Sequence, residues 1–139
     1  MRRRGEPEWL RLDVVIALHK QLVAEHGGST GLRDQGLLES ALARPRNHLL
    51  YAEGDDRPTM ARLAASYAFA LVRDHAFVDG NKRVGLVVAA TFLLLNGYEL
   101  IASEADAVAV IMALADGSLS EAQLADWFES HSRRRAGTE

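Results

Sequence analysis

The run from Val84 to Leu95 carries no polar side chain except Thr91. Water penalises exposure of so many apolar groups, so this segment belongs inside the fold. It is also too short to span a bilayer, which takes about 20 residues as a helix. The run therefore reads as a buried helix from Lys82 to Leu95, closed by the Asn96-Gly97 pair as a left-handed cap. A helix apolar nearly all round is expected at the centre of its domain, with the other helices wrapped around it.

The remaining pattern supplies those helices. Val15, Leu18, Leu22 and Val23 recur at helical spacing and stop at Gly27-Gly28. After the loop Ser29–Arg33, Asp34 is a candidate N-cap for a second helix marked by Leu37, Leu38, Ala41 and Leu42, with Pro45 as its stop. From Pro45 to Pro58 no clear period is visible, and a short hairpin or irregular flap is expected there. Thr59 caps a third helix with Met60, Leu63, Ala64, Tyr67, Ala68, Leu71 and Val72 on one face. Ser103-x-x-Asp106 and Ser118-x-x-Glu121 resemble capping boxes, the second opening a last helix with Leu124, Trp127 and Phe128 on its apolar face. No alternating strand of useful length is present. The class expected is all-α.

Length and charge bound the rest. The chain has 139 residues, a size suited to one domain covering 1–139, with charged segments at about 1–8 and 132–139 read as solvated tails. It contains no cysteine, which removes disulfides, thiolate metal sites and cysteine nucleophiles and fits a reducing cytoplasm. Sixteen Lys and Arg against nineteen Asp and Glu leave no cationic excess for nucleic acid. The basic start Arg2–Arg4 runs into Glu6-Pro7-Glu8 rather than an apolar segment, so no signal peptide is expected.

Chemistry concentrates in Asp74–Arg83, between the third helix and the apolar run. Its polar residues are held against the core on both sides, where each needs a partner. Asn81, Lys82 and Arg83 open a helix, although cations there oppose the helix dipole. An anion over that helix end resolves the conflict, because free N–H groups, dipole and two cations then all favour phosphate. Asp79 beside phosphate requires a cation, and Mg²⁺ bridging carboxylate and phosphate oxygens supplies it. An unperturbed imidazole has a pKa of about 6.5, so the residue type at His75 suits proton acceptance near neutrality. Gly80 permits a close backbone approach and Phe77 can plug the loop into the core. The competing reading is that Val78-Asp79-Gly80-Asn81 is an ordinary turn, and the residues alone leave both open.

The nine residues His75–Arg83 closely resemble the signature of the Fic/Doc family, in which His, Phe, an acid, Gly or Ala, Asn, Gly or Lys, and Arg stand at fixed positions. Lys82 resembles the Doc (death-on-curing) branch, and so do Gly31–Asp34, Gly36–Leu42, Arg44-Pro45 and Asn96–Tyr98. The resemblance implies a compact helical bundle with a short flap at Asn47–Asp56, where a target segment docks in extended form. It implies His75 as general base, Asp79 as the Mg²⁺ ligand, Gly80 and Asn81 as an anion nest, and Lys82 and Arg83 as phosphate-binding, Arg83 being counted with the catalytic set. It further implies a toxin of a type II toxin–antitoxin system that uses ATP to phosphorylate a threonine of elongation factor Tu, and an antitoxin that covers the site.

Departures from the family pattern bear on the activity. AMP-transferases of the family carry a second arginine three residues after the first, and here that position is Leu86. Gamma-phosphate transfer is therefore the first expectation, AMP transfer the alternative, and a non-catalytic binding module the second alternative. Ala76 replaces a common proline, and Val84-Gly85 replaces the more usual Thr-Ala. No internal inhibitory motif is found, so inhibition is expected from a separate chain. Arg73 and Asp74 are read as helix-end residues, Asp34 and Glu39 as capping or polar contacts, and Arg46 and His48 as flap residues able to touch a target. His19, His26, His48 and His131 lack metal-like spacing and are read as structural or surface residues.

Overall fold

Four helices begin where a side chain accepts an N–H that the helix itself leaves unbonded. In the computed structural model, which describes residues 5–135, Asp34 accepts from Leu37 N at 3.0 Å and Thr59 from Arg62 N at 3.1 Å. Ser103 accepts from Asp106 N at 3.0 Å and Ser120 from Gln123 N at 3.1 Å. Each such cap stabilises its helix by about 1 kcal/mol. The elements are α1 (Leu12–His26), α2 (Gln35–Leu50), α3 (Met60–Asp74), α4 (Asn81–Leu95), β1 (Tyr98–Leu100), α5 (Glu104–Asp116), α6 (Glu121–Ser130) and β2 (Ser132–Arg134). The fold is all-α in class, with one small antiparallel pair, β1 with β2, in register Tyr98–Arg134, Glu99–Arg133 and Leu100–Ser132.

The helix at the centre is α3, not the apolar α4. Ten of the fifteen α3 residues are buried, against seven of fifteen in α4, and α2, α4, α5 and α6 all pack on α3. The reason is size rather than hydrophobicity. Ala61, Ala64, Ala65, Ala68 and Ala70 let several helices approach α3 closely, since side-chain bulk sets the distance between helix axes. Leu94 and Leu95 of α4 remain half exposed, at 45% and 51%.

Gly85 permits the α3–α4 contact. A Cβ there would stand 3.0 Å from Val72 Cγ2 and 3.3 Å from Ala68 O. The core continues through Phe92, which stacks on Trp9 at 5.8 Å and lies 5.1 Å from Tyr67. The buried Tyr67 hydroxyl accepts the Leu10 N–H at 3.2 Å. Asn96 ties the N-terminal segment to the end of α4, accepting from Glu8 N at 2.7 Å and donating to Glu8 O at 3.0 Å.

Several expectations need correction. α2 does not stop before Pro45 but runs through it to Leu50. The proline removes one N–H from the ladder, yet its ring is buried against the core where α2 lies on α3. The flap expected at Asn47–Asp56 is thereby shortened. Asn47–Leu50 are helical, and the irregular segment is residues 51–59, with a single 3-10 turn at Gly54–Asp56. Arg46 lies over the Trp9 ring at 5.3 Å, on a helix rather than a flap. The last helix is capped by Ser120, in a full capping box with Gln123. Ser118 instead donates its hydroxyl to Ala113 O at 3.3 Å, closing α5 behind it. Ser132–Arg134, expected in a solvated tail, form β2. Residues 1–4 and 136–139 of the expected tails lie outside the described residues. No helix among the described residues is long and apolar enough to cross a membrane.

Candidate functional site

α3 ends at Asp74 and the chain reverses at His75, whose φ of 51° and ψ of 50° are left-handed. It is the only non-glycine with positive φ among the described residues. Such a conformation is costly outside glycine and persists where surroundings enforce it. Ala76 and Phe77 then turn into the core, at 0% and 2% exposure, while His75, Val78 and Asp79 face solvent. The chain re-enters helix at Asn81 behind Gly80, whose φ is 77°.

Asn81 closes the loop. Its side-chain oxygen accepts the Phe77 N–H at 3.1 Å, and its amide nitrogen donates to Phe77 O at 3.0 Å. The Asn81 side chain is thus engaged by Phe77, and the residue presents its main-chain N–H to the helix end. The first bond of the α4 ladder runs from Val84 N to Gly80 O at 3.0 Å, so the N–H groups of Asn81, Lys82 and Arg83 precede it. Gly80 caps the helix with no side-chain bond. Lys82 and Arg83 are exposed on this first turn, and neither pairs with a carboxylate among the described residues. Partial positive charge at the helix end and two unpaired cations therefore coincide, an arrangement suited to an anion.

Asp79 is the carboxylate of this segment. Its Oδ1 accepts from Gly80 N at 2.9 Å and its Oδ2 from Ser29 N at 3.3 Å. Gly28 makes room for it, since a Cβ there would lie 2.7 Å from Asp79 Oδ2. No group of three or more His, Cys, Asp or Glu that could hold a metal occurs among the described residues. A lone carboxylate still fits Mg²⁺, which commonly takes one or two carboxylates and completes its shell with substrate phosphates and water.

Residues that sequence reasoning assigned no role here prove to hold the segment. His19 is buried, stacks on Phe77 with centroids 3.9 Å apart, and donates from Nε2 to Asp79 O at 2.6 Å. Its place on the Val15–His19–Val23 face of α1 was the available signal, since a four-residue spacing puts all three on one side. Arg33 donates from Nε to His75 O at 2.7 Å and from Nη2 to Asp74 O at 3.1 Å. Its main-chain N–H and that of Asp34 both reach Ala76 O, at 2.7 and 3.0 Å, and Val78 N reaches Gly31 O at 3.1 Å. Nothing in the spacing pairs the loop 29–34 with residues forty positions away.

The other candidates lie elsewhere or serve the frame. Arg73 pairs with Asp74 Oδ1 at 3.0 Å and sits over Phe69 at 4.9 Å, in keeping with helix-end roles for both. His131 closes α6, its Nδ1 donating to Trp127 O at 2.8 Å, and His26 lies beside Glu25 at the end of α1. His48 neighbours Arg44, Arg62 and Glu121, and burial above all, then Arg44, lowers its pKa below the ordinary histidine value. A groove of about 340 Å³ opens beside the motif, lined by His75, Lys82 and Arg73 with the apolar Phe69, Val72 and Leu114.

With this geometry in hand, comparisons place the chain. A family model described as the Fic/DOC family matches residues 9–93, which include α1 to α4 up to Leu93 and the whole His75–Arg83 segment. The chain is 43% identical over 76 residues to Toxin Doc of Mycolicibacterium smegmatis, covering 55% of this chain and 57% of that protein, so it spans little more than half of that relative. It is 34% identical over 112 residues to Protein kinase doc of Escherichia phage P1, covering 81% of this chain and 86% of that one. The family model matches more than half of the chain and the phage relative is matched over most of both lengths, so the chain belongs to the Fic/Doc family.

Proposed function

We propose that this chain is a Doc-type toxin that transfers the γ-phosphate of ATP to a hydroxyl of a protein target. The observation that carries the reading is the convergence, within His75–Arg83, of an exposed imidazole, a single carboxylate, the leading N–H groups of α4 and two cations without acidic partners among the described residues. The name Protein kinase doc of the phage relative supports the same reaction. Leu86, half-buried where AMP-transferases of the family carry an arginine, supports γ-phosphate over AMP transfer.

In this reaction the target hydroxyl gives its proton to His75 as its oxygen attacks the γ-phosphorus. The bond from that phosphorus to the oxygen bridging to the β-phosphate breaks, and ADP leaves with the electron pair. Lys82, Arg83 and the main-chain N–H groups of Asn81, Lys82 and Arg83 steady the phosphate charge, so catalysis is mainly positioning and electrostatics. Asp79 would hold Mg²⁺ against the nucleotide phosphates, where the ion neutralises charge on the transferred group. The target proposed is a threonine of elongation factor Tu, whose modification halts translation in the cytoplasm. Neutralisation is proposed to come from a cognate antitoxin, with no direct nucleic-acid or membrane partner.

The test is incubation with purified elongation factor Tu, and with a bacterial lysate, using ATP labelled at either the α- or the γ-phosphate. Label is expected in protein only from γ-labelled ATP, and transfer only from the α-label would replace the kinase reading by AMP transfer. His75→Ala is expected to abolish both transfer and growth arrest. Arrest that survives this change would favour a module acting by binding alone. Asp79→Ala is expected to remove Mg²⁺-dependent ATP binding in calorimetry.

A further inference from the structure

We infer that Arg33 is a positioning residue that holds His75 in its left-handed conformation and so aims the imidazole. As an account of catalysis, this rests on the general-base reading of His75 given above. The last carbonyls of a helix lack partners within it. At the end of α3 those of Asp74 and His75 are both taken by one guanidinium, at 3.1 and 2.7 Å. The third carbonyl in the row, Ala76 O, accepts the main-chain N–H groups of Arg33 and Asp34. Three consecutive carbonyls are thereby turned toward the same loop, across the reversal where His75 has its φ of 51°. Left-handed backbone at a non-glycine residue relaxes to the commoner regions when its restraints are removed.

The rest of the motif is fixed independently. Phe77 is gripped by Asn81, and Asp79 by His19 and Ser29. Arg33 therefore governs the His75 end and leaves the phosphate-facing turn of α4 in place. Its side chain is exposed, so truncating it takes little from the core. A lysine has one ammonium in place of the planar fork and does not reproduce both bonds at once.

The experiment compares wild type, Arg33→Ala, Arg33→Lys and His75→Ala in full-length protein. Backbone NMR shifts of His75 read its conformation without any activity, and steady-state transfer from γ-labelled ATP reads catalysis. In Arg33→Ala the His75 shifts are expected to leave the left-handed range while those of Phe77 and Asn81 stay as in wild type. The kcat is expected to fall about 10- to 100-fold, the scale of a small misplacement of a reacting group, with KM for ATP nearly unchanged. Arg33→Lys is expected to recover only part of either signal. Unchanged His75 shifts in Arg33→Ala would overturn the proposal whatever the activity, and so would altered shifts with wild-type kcat. If wild type transfers no phosphate, the proposed reaction fails by itself, while the shifts still decide whether Arg33 holds His75.

Discussion

Gly85 shows how far a single residue can be read before a structure exists. In isolation it is a helix defect costing about 1 kcal/mol relative to alanine. In the fold it is the point where α4 meets Val72 and Ala68 of α3. Gly85→Val should therefore destabilise the protein by about 1–3 kcal/mol through overpacking, read as a lower urea midpoint with unchanged slope. Gly85→Ala sets its propensity gain against a 3.0 Å approach to a side-chain methyl, and should fall within about 1 kcal/mol of wild type. Phe77 was legible as a core plug because it is the one aromatic of the segment, standing midway between the polar His75 and Asp79. The grip of Asn81 on Phe77 was not, because an amide that serves the loop and one that serves a ligand look identical in a sequence. His19 was read only as structural or surface, since its partner, the carbonyl of Asp79, is sixty residues away.

At the scale of elements, caps were read well wherever the acceptor and the first apolar residue stood in the usual spacing. Asp34, Thr59 and Ser103 open α2, α3 and α5 as their positions imply. The last helix offered two serines at equivalent spacing, Ser118 before Glu121 and Ser120 before Gln123. The tertiary turn chose the second, since Ser118 already serves Asp116 and Ala113 at the end of α5. The pair gives a direct test by thermal unfolding. Ser120→Ala should cost about 1 kcal/mol by removing a reciprocal cap, whereas Ser118→Ala, at an exposed site, should cost about 0.5 kcal/mol or less. Pro45 misled because a proline normally ends a helix, but local preference yields when the ring is buried and the helix is held along its length by a neighbour.

For the molecule as a whole, α2 and α6 are joined by Arg44 and Glu121 at 2.5 Å, each less than a third exposed. Beside them, burial first and the Arg44 charge next disfavour protonated His48, with Arg62 adding and Glu121 opposing. The unfolded chain therefore takes up the His48 proton before the folded one does. Its contribution to stability is complete above about pH 6.5 and is lost as pH falls below that toward the lower folded value. Melting temperatures measured between pH 7.5 and 5 should decline, and His48→Gln should flatten part of that decline. A decline of the same size in the variant would remove His48 as its source.

What the sequence determined by itself is the set of helices, the all-α class and the nine-residue signature, because periodicity, caps and motif spacing are local properties of a chain. What only tertiary structure decided is which helix lies at the centre, where the flap begins, and which residues brace the site. The small side chains of α3 let other helices close around it, while the more hydrophobic α4 was left at the flank. Arg33 and His19 reach the motif across forty and sixty residues of chain. Contacts over such separations depend on how helices pack in space, and packing is settled by volume and shape summed over the whole core rather than by any local pattern.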